Sequence, residues 1–544
     1  MTIRDFEKRS FVFDVAAIFC IALGIRLLEL DRAFTGNELF HLLAGRSWSE
    51  DGTFSVAYGE YTRNGNFSIF LNLLTQMFGE RAVVARMPAV LAGSLSAVAL
   101  YVWMRFAAGR GAGWVAAILL SVCALAIDIS QWARVYALFS FTFFLGAVGV
   151  YTAAVADLSR RNMLIVALAS TGLIAFSFSM HRLIIVGVGG LVLWLVIEHR
   201  ALLRQWFGVL LRSRWAMIVA LLVVIAAAAI ALTSDDVRRL LLAFRDLQPQ
   251  GADKQFDYLF YHRWFRSEYP LLWGLTPVAV VFAISRKPSF GLFCACIFFT
   301  VFVVYAFASR KWMRYMYFVL PFLFALWGFL VAHAFTWLQR ITAEMLDRLE
   351  IDDRFPFLRR VATIAVLVVV AVFFVGSNAI VSPVYQHLYS QSGYRADWKG
   401  ARSVFAPWLD DPDAIILVSP MQHPLYYYDR ADLEFGPKYV YESGTGGAEF
   451  GVDRRTGLRA VSSRESMELV FDCHGRGLLV MTKRRWRQSG YGPDDDVFAL
   501  LQQRATELEG ARQHGLVAYG WDEPPVIRSE RCSALLPDDS GGAS

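Results

Sequence analysis

The chain has 544 residues, of which 56% are hydrophobic and only 18% are charged. That balance excludes an ordinary soluble enzyme and describes a polytopic α-helical membrane protein, with no nucleic-acid partner expected. The net charge of +6 carries little meaning until the charges are assigned to a side of the bilayer.

Residues 11–28 form a first apolar run long enough to span, and no A-x-A-like cleavage site follows it, so it reads as a retained signal-anchor. The stretch 30–48 then turns amphipathic. Leu39, Phe40, Leu42 and Leu43 can wet a membrane surface, while Asn37, Glu38 and His41 face away from it. An acidic side chain at the mouth of a membrane helix is costly. Two readings stay open for Glu38: a catalytic carboxylate on an interfacial helix, or the helix-start Glu of an N-terminal cap, Thr35-Gly36-Asn37-Glu38.

Further apolar runs recur at 83–106, 113–127, 135–156, 163–178, 183–197, 215–232, 271–284, 290–308, 316–337 and 361–380. Together they predict about eleven spans, some short against the roughly 20 residues a crossing needs. With the N-terminus in the cytoplasm, every inside segment is basic: Arg4/Lys8/Arg9, Arg105/Arg110, Arg160/Arg161, Arg200–Arg214, Arg286/Lys287 and Arg340–Arg360. An odd number of spans puts the C-terminal part outside. This predicts a membrane domain over 1–381, with a first outer loop at 31–82, and an extracytoplasmic domain over 382–544. In the latter, helices are expected at 396–409 and 496–508 and ending at 467–471, with strands at 414–418 and 477–482, which suggests a small α/β domain. The Gly-rich 442–451 reads as a connector and 537–544 as a frayed end. Cys20, Cys123, Cys294 and Cys296 sit in apolar runs as packing residues, whereas Cys473 and Cys532 can pair if their domain lies outside.

Three outer features stand out. Glu38 is the first. The second is the short turn holding Asp128 and Arg134, where Asp128 is a metal ligand, a second acid or the salt-bridge partner of Arg134. The third packs Arg310, Lys311 and Arg314 beside Trp312 and Tyr315. Two readings stay open for this cluster: snorkelling cations with interfacial aromatics, or a site for a lipid-linked phosphate at headgroup depth, which three cations within five positions favour. The segment 256–269 mixes aromatics with Arg263 and Arg266, which suits a surface anchor or an acceptor-binding lip around His262 and Arg263.

These residues fall in a recognisable order. Gly36-Asn37-Glu38 resembles the first-loop acidic motif of the GT-C glycosyltransferases, with Asn37 in place of the usual Asp. This polyprenyl-phosphate-sugar-dependent group includes protein O-mannosyltransferases and lipid A aminoarabinose transferases. Arg86-Met87-Pro88 with Gly93 is similar to the family's R-x-P-…-G start of the second span. The segment from Ser130 to Leu138 is similar to S-Q-E-A-R-x-Y-A-L, with Trp132 where an acid is common, so that Asp128 is the acid that remains. Lys311 to Tyr315 with Pro321 resembles the late R-Y-…-P segment, and Tyr394 to Lys399 the start of the outer domain. The resemblance implies an inverting transfer of a sugar from a polyprenyl-phosphate carrier to a glycan, glycolipid or protein acceptor at the outer face of the cytoplasmic membrane. In that reading Glu38, or after it Asp128, is the base. Arg310, Lys311, Arg314, Arg134 and Tyr315 hold the donor phosphate. A divalent metal between Glu38 and Asp128 is compatible but not required. The rival readings are a lipid or glycolipid transporter, suggested by the isolated intramembrane Asp14 and Arg26, and a non-catalytic envelope-assembly subunit.

Overall fold

The computed structural model describes residues 3–61, 63–200, 257–308, 311–348, 396–436, 451–453, 456–488, 490–524, 532 and 535. Its helices in chain order are α1 (Ile3–Leu27), α2 (Gly36–Asp51), α3 (Gly65–Phe78), α4 (Ala82–Ala107), α5 (Arg110–Val122), α6 (Ala124–Ser130), α7 (Tyr136–Val155), α8 (Arg160–Met180) and α9 (Ile184–Glu198). After these come α10 (Phe260–Glu268), α11 (Pro270–Gly274), α12 (Thr276–Arg286), α13 (Pro288–Ala306) and α14 (Leu320–Arg348). The chain packs as two compact units. One comprises Met1–Leu28, Pro88–Gln131 and Val135–His387; the other comprises Glu29–Met87, Trp132–Arg134 and Leu388–Ser544.

The first unit is helical and apolar. Among the described residues six helices are long and apolar enough to cross a membrane, or seven if the bent pair α5 and α6 counts as one span. The helices α9 and α12 are shorter and apolar. The polytopic expectation therefore holds. The expected spans at 215–232 and 361–380 lie outside the described residues, and so does Arg310. Packing pairs α7 with α8, α5 with α14 and α9 with α13. The apolar surface these helices leave exposed includes Leu164, Ile165 and Leu168 on α8 and Val278 and Val281 on α12, as lipid-facing spans require.

The two charges inside α1 are not isolated. Asp14 receives the Arg110 guanidinium at 2.7 Å through two N–H groups, Arg105 at 3.0 Å, and the Tyr101 hydroxyl. Arg26 is fully buried and donates to backbone carbonyls: Ala22 at 3.0 Å, Ser121 at 3.2 Å and Leu120 at 3.3 Å. The last two belong to the end of α5, where the chain bends by 61° at Cys123 and α6 begins. Carbonyls freed by a broken helix need donors in a medium without water, and Arg26 supplies them. Both charges thus have structural employment, which removes the observation that kept the transporter reading open. Where α4 passes α6, a side chain at Gly93 would lie 2.1 Å from the Ser130 hydroxyl, so the glycine following Arg86-Met87-Pro88 is needed for close approach.

The second unit is built on a seven-stranded mixed sheet. Two short antiparallel strands, β1 (Ser55–Val56) and β2 (Gly59–Glu60), form a separate hairpin. The sheet runs β5-β6-β4-β3-β7-β9-β8. Its strands are β3 (Ile415–Ser419), β4 (Leu433–Phe435), β5 (Gly451–Val452), β6 (Arg459–Val461), β7 (Arg476–Thr482), β8 (Thr506–Glu507) and β9 (Leu516–Asp522). The central pairs β3–β4, β3–β7 and β4–β6 are parallel, and β9 returns antiparallel to β7. Leu417, Leu479 and Met481 point into one apolar cluster with Met467, Val470 and Leu501, while Ile416, Val418, Leu478 and Val480 point into another with Phe405 and Trp398. A sheet covered on both faces reads as unbroken apolar runs, which is why these strands were visible in the sequence. The helix expected at 396–409 is confined to Arg402–Leu409, because Trp398 to Gly400 form turns. Cys473 and Cys532 form a disulfide.

The first loop packs with this sheet domain. Arg46 on α2 reaches Asp429 at 2.9 Å and lies 5.2 Å from the Tyr426 ring centre, and His423 Nε2 donates to the Phe34 carbonyl at 3.0 Å. The loop expected to belong with the membrane helices is therefore grouped with the C-terminal domain. The helices α2 and α3 cross closely at Gly45, where a side chain would meet the Ser68 carbonyl at 2.4 Å.

Candidate functional site

The Thr35 to Glu38 segment forms a reciprocal cap. Glu38, three positions into the helix start, accepts from the Thr35 N–H at 2.7 Å and its hydroxyl at 2.9 Å. The same carboxylate accepts Arg86 Nε–H at 2.8 Å, a second Arg86 N–H at 3.0 Å and the Ala133 N–H at 2.9 Å. Arg86 spends its remaining N–H groups on the carbonyls of Leu30 and Arg32, both at 2.7 Å, and of Ala33 at 3.2 Å. Its guanidinium lies 5.1 Å from the Phe34 ring centre. Glu38 and Arg86 are both fully buried.

This environment decides the chemistry of Glu38. Burial alone would raise its pKa; the Arg86 charge and hydrogen bonds, with the Thr35 and Ala133 N–H groups, outweigh it and hold the carboxyl at about 2. Five donors fill its two oxygens. In this arrangement donors occupy both Glu38 oxygens and the carboxyl stays ionised, a setting that suits a carboxylate that positions its neighbours. A divalent cation fits poorly, since its coordination positions are occupied and a guanidinium stands beside it. Among the described residues, no group of three or more His, Cys, Asp or Glu side chains is placed to hold a metal.

His41, one helical turn along α2, is buried between Tyr61 and Phe67, and its Nδ1 lies 3.0 Å from the Ser68 hydroxyl. Burial, then the charge of Arg134, pushes its pKa down to about 3, so the ring is neutral. Its Nε2 meets no hydrogen-bond partner among the described residues. The sequence reading put His41 on the same polar face as Glu38 but gave it no role, although its i+3 spacing from Glu38 was available as a signal. Arg86 was likewise visible only as a motif residue.

The remaining candidates lie in the helical unit, except Arg134, which is half-buried and falls with Glu38. The 3₁₀ turn Met313–Tyr315 packs against α6, the helix that carries Asp128. Arg314 is boxed by aromatic rings: Trp312 at 4.9 Å, Tyr136 at 5.6 Å and Tyr315 at 5.6 Å. It forms no salt bridge among the described residues, and its Nε finds no acceptor there. Lys311 is buried, donates to the Ala308 carbonyl at 2.7 Å and lies 6.0 Å from the Tyr258 ring centre. Burial lowers its pKa, and Asp257 offsets part of that. His262 accepts from Trp273 Nε1 at 3.0 Å, and Arg263 pairs with Asp257. The structure thus brings Arg314, Tyr315 and Tyr136 together, pairs Arg263 with Asp257, and holds His262 in an aromatic contact with Trp273.

No protein-family model matches this sequence, and no curated protein is similar to it in sequence. Solved structures do match. The chain is similar to ArnT from Cupriavidus metallidurans in the apo state, with a TM-score of 0.58 at 12% identity over 95% of this chain and 98% of that one. It is equally similar to the same protein bound to undecaprenyl phosphate, with a TM-score of 0.58 at 13% identity. The oligosaccharyltransferase of Archaeoglobus fulgidus matches with a TM-score of 0.59 at 12% identity, covering 92% of this chain and 73% of that one. The likeness shows the fold, which this chain shares with ArnT and with that oligosaccharyltransferase, as the resemblance led one to expect.

Proposed function

We propose that the chain transfers a sugar from a polyprenyl-phosphate carrier to a glycan, glycolipid or protein acceptor at the outer face of the cytoplasmic membrane. The observation that carries this is Arg314: a guanidinium held by three aromatic rings, with no carboxylate partner among the described residues. Such a cation is poised for an external anion, and phosphate matches its fork. The fold supports the same reading, since ArnT, to which it is similar, has been seen with undecaprenyl phosphate. The Cys473–Cys532 disulfide supports an extracytoplasmic C-terminal domain, because such bonds persist in oxidising compartments.

The acceptor oxygen attacks the anomeric carbon and inverts it. The bond from that carbon to the phosphate oxygen breaks, and the lipid phosphate leaves with the electron pair. Arg314 and Lys311, with Arg310, stabilise the charge that develops there, and Tyr315 braces Arg314. The acceptor proton passes to Asp128, the carboxylate that takes the base role in place of the saturated Glu38. Glu38 and Arg86 then act as positioning residues that fix the 30–35 turn and the backbone at Ala133. His262 and Arg263 form the acceptor lip.

The test compares envelope glycans, glycolipids and glycoproteins by mass spectrometry in cells with and without the chain. It is paired with binding of undecaprenyl phosphate to the purified protein. Loss of one sugar from an envelope product, together with saturable carrier binding, is expected. An unchanged envelope and no carrier binding would overturn the proposal. The saturation of Glu38 favours one second reading, a carrier-binding subunit without transfer. In that case Asp128→Asn leaves every envelope product unchanged.

A further inference from the structure

We infer that the C-terminal domain holds a separate binding site for a pyranose ring bearing an anionic group. The site is a cavity of about 420 Å³ lined by Lys483, Trp486, Arg487, Phe498, Gln502, Glu507, Arg512 and Tyr519. That volume lies within the range of small-ligand pockets, roughly 300–1,000 Å³.

Its aromatic wall is arranged rather than incidental. Trp486 stacks on Tyr519 with centres 5.4 Å apart and planes 15° from parallel, and Phe498 meets the indole edge-on at 6.0 Å. Tyr519 lies in the core and backs this pair, while the half-buried Trp486 and Phe498 line the cavity, where the C–H groups of a sugar ring, which carry partial positive charge, can pack against aromatic surface. The polar wall supplies both donors and acceptors. Arg512 is oriented by Glu507 through two N–H groups at 2.7 and 2.9 Å, while Lys483 donates to the Arg512 carbonyl at 2.6 Å. Gln502, Arg487, Lys483 and Arg512 are all exposed, so the polar side of the cavity is open to solvent.

The mixture identifies the ligand class. A site for a bare anion has no use for Glu507 in its wall, whereas sugar hydroxyls need an acceptor as well as donors. Three cations against one carboxylate leave the pocket positive, so the ring it suits carries a carboxylate or phosphate. Nothing here depends on the transfer reaction, and the site lies wholly within one unit.

The experiment titrates the full-length protein in detergent micelles, by calorimetry, with four probes: digalacturonate, glucose 1-phosphate, maltose and inorganic phosphate. Saturable binding of one or both anionic sugars is expected, and which of them binds separates uronate from phosphate. Maltose and inorganic phosphate should bind at least about fivefold more weakly, the scale of one exposed charge interaction. The Arg487→Gln/Gln502→Ala variant changes only exposed rim residues and should weaken the anionic sugar about fivefold with an unaltered melting temperature. The inference falls if neither anionic sugar binds, if maltose or inorganic phosphate binds equally well, or if the variant binds like the parent. Because the readout is binding alone, failure here leaves the transferase proposal standing, and the converse also holds.

Discussion

Arg86 holds Glu38 through two N–H groups, at 2.8 and 3.0 Å, with both side chains fully withdrawn from solvent. The two residues stand 48 positions apart and close the turn 30–35 against the start of α4. Removing one member leaves the other as an uncompensated buried charge, at a cost of about 3–5 kcal/mol. Glu38→Gln should therefore lower stability by that amount in a thermal melt. Its effect on donor binding per folded molecule should be small. Loss of catalysis with unchanged stability would return Glu38 to the role of base.

The stability of the second unit should fall on acidification over two successive pH ranges. Both groups have folded pKa values below their ordinary ones, so the stability they contribute is present at neutral pH and lost on acidification. For His41 the loss begins below pH 6.5 and runs towards about 3; for Glu38 it begins below 4.5 and runs towards about 2. Chemical denaturation across this range should show a declining midpoint. His41→Gln should flatten the slope between pH 6.5 and 4.5 and leave the lower limb in place.

Replacing Arg314 with Gln should weaken undecaprenyl-phosphate binding by roughly tenfold or more, the scale of one charge-assisted hydrogen bond. Arg314→Lys should recover only part of it, because an ammonium neither stacks on Trp312 nor offers a fork. Equal binding by all three forms, measured by thermophoresis, would remove Arg314 from the phosphate site.

Asp128→Asn should reduce turnover by about 10²–10⁴-fold while leaving carrier affinity near the parent value, the signature of a lost proton acceptor. A matched fall in both would instead indicate that the α5–α6 bend has been disturbed.

Cys532→Ser opens a bond that joins positions 59 apart. The sheet domain should lose about 2–5 kcal/mol. Limited proteolysis with and without reductant checks this directly.

What the sequence made legible follows from locality. The strands β3 and β7 are apolar runs because both faces are covered, and the Thr35 to Glu38 cap is contained within four residues. The aromatic setting of Arg314 was half visible, since Trp312 and Tyr315 are neighbours, whereas Tyr136 comes from a distant helix. The partnership of Glu38 with Arg86 and Ala133 was hidden because it joins three segments, and one chain offers no pairing signal across such gaps. Without Arg86 in view, an acid at the mouth of a span has no visible partner; once it is seen, the same acid is one half of a buried ion pair. The grouping of the first loop with the sheet domain was hidden for the same reason, since Arg46–Asp429 and His423–Phe34 link residues nearly four hundred positions apart.

The bend between α5 and α6 has a consequence for biogenesis. Leu120 and Ser121 present bare carbonyls to hydrocarbon unless Arg26 is there, and Arg26 is intolerable in hydrocarbon unless those carbonyls are there. The first helix and the kinked pair therefore complete one another: each keeps an unsatisfied polar group in the membrane until the other has arrived.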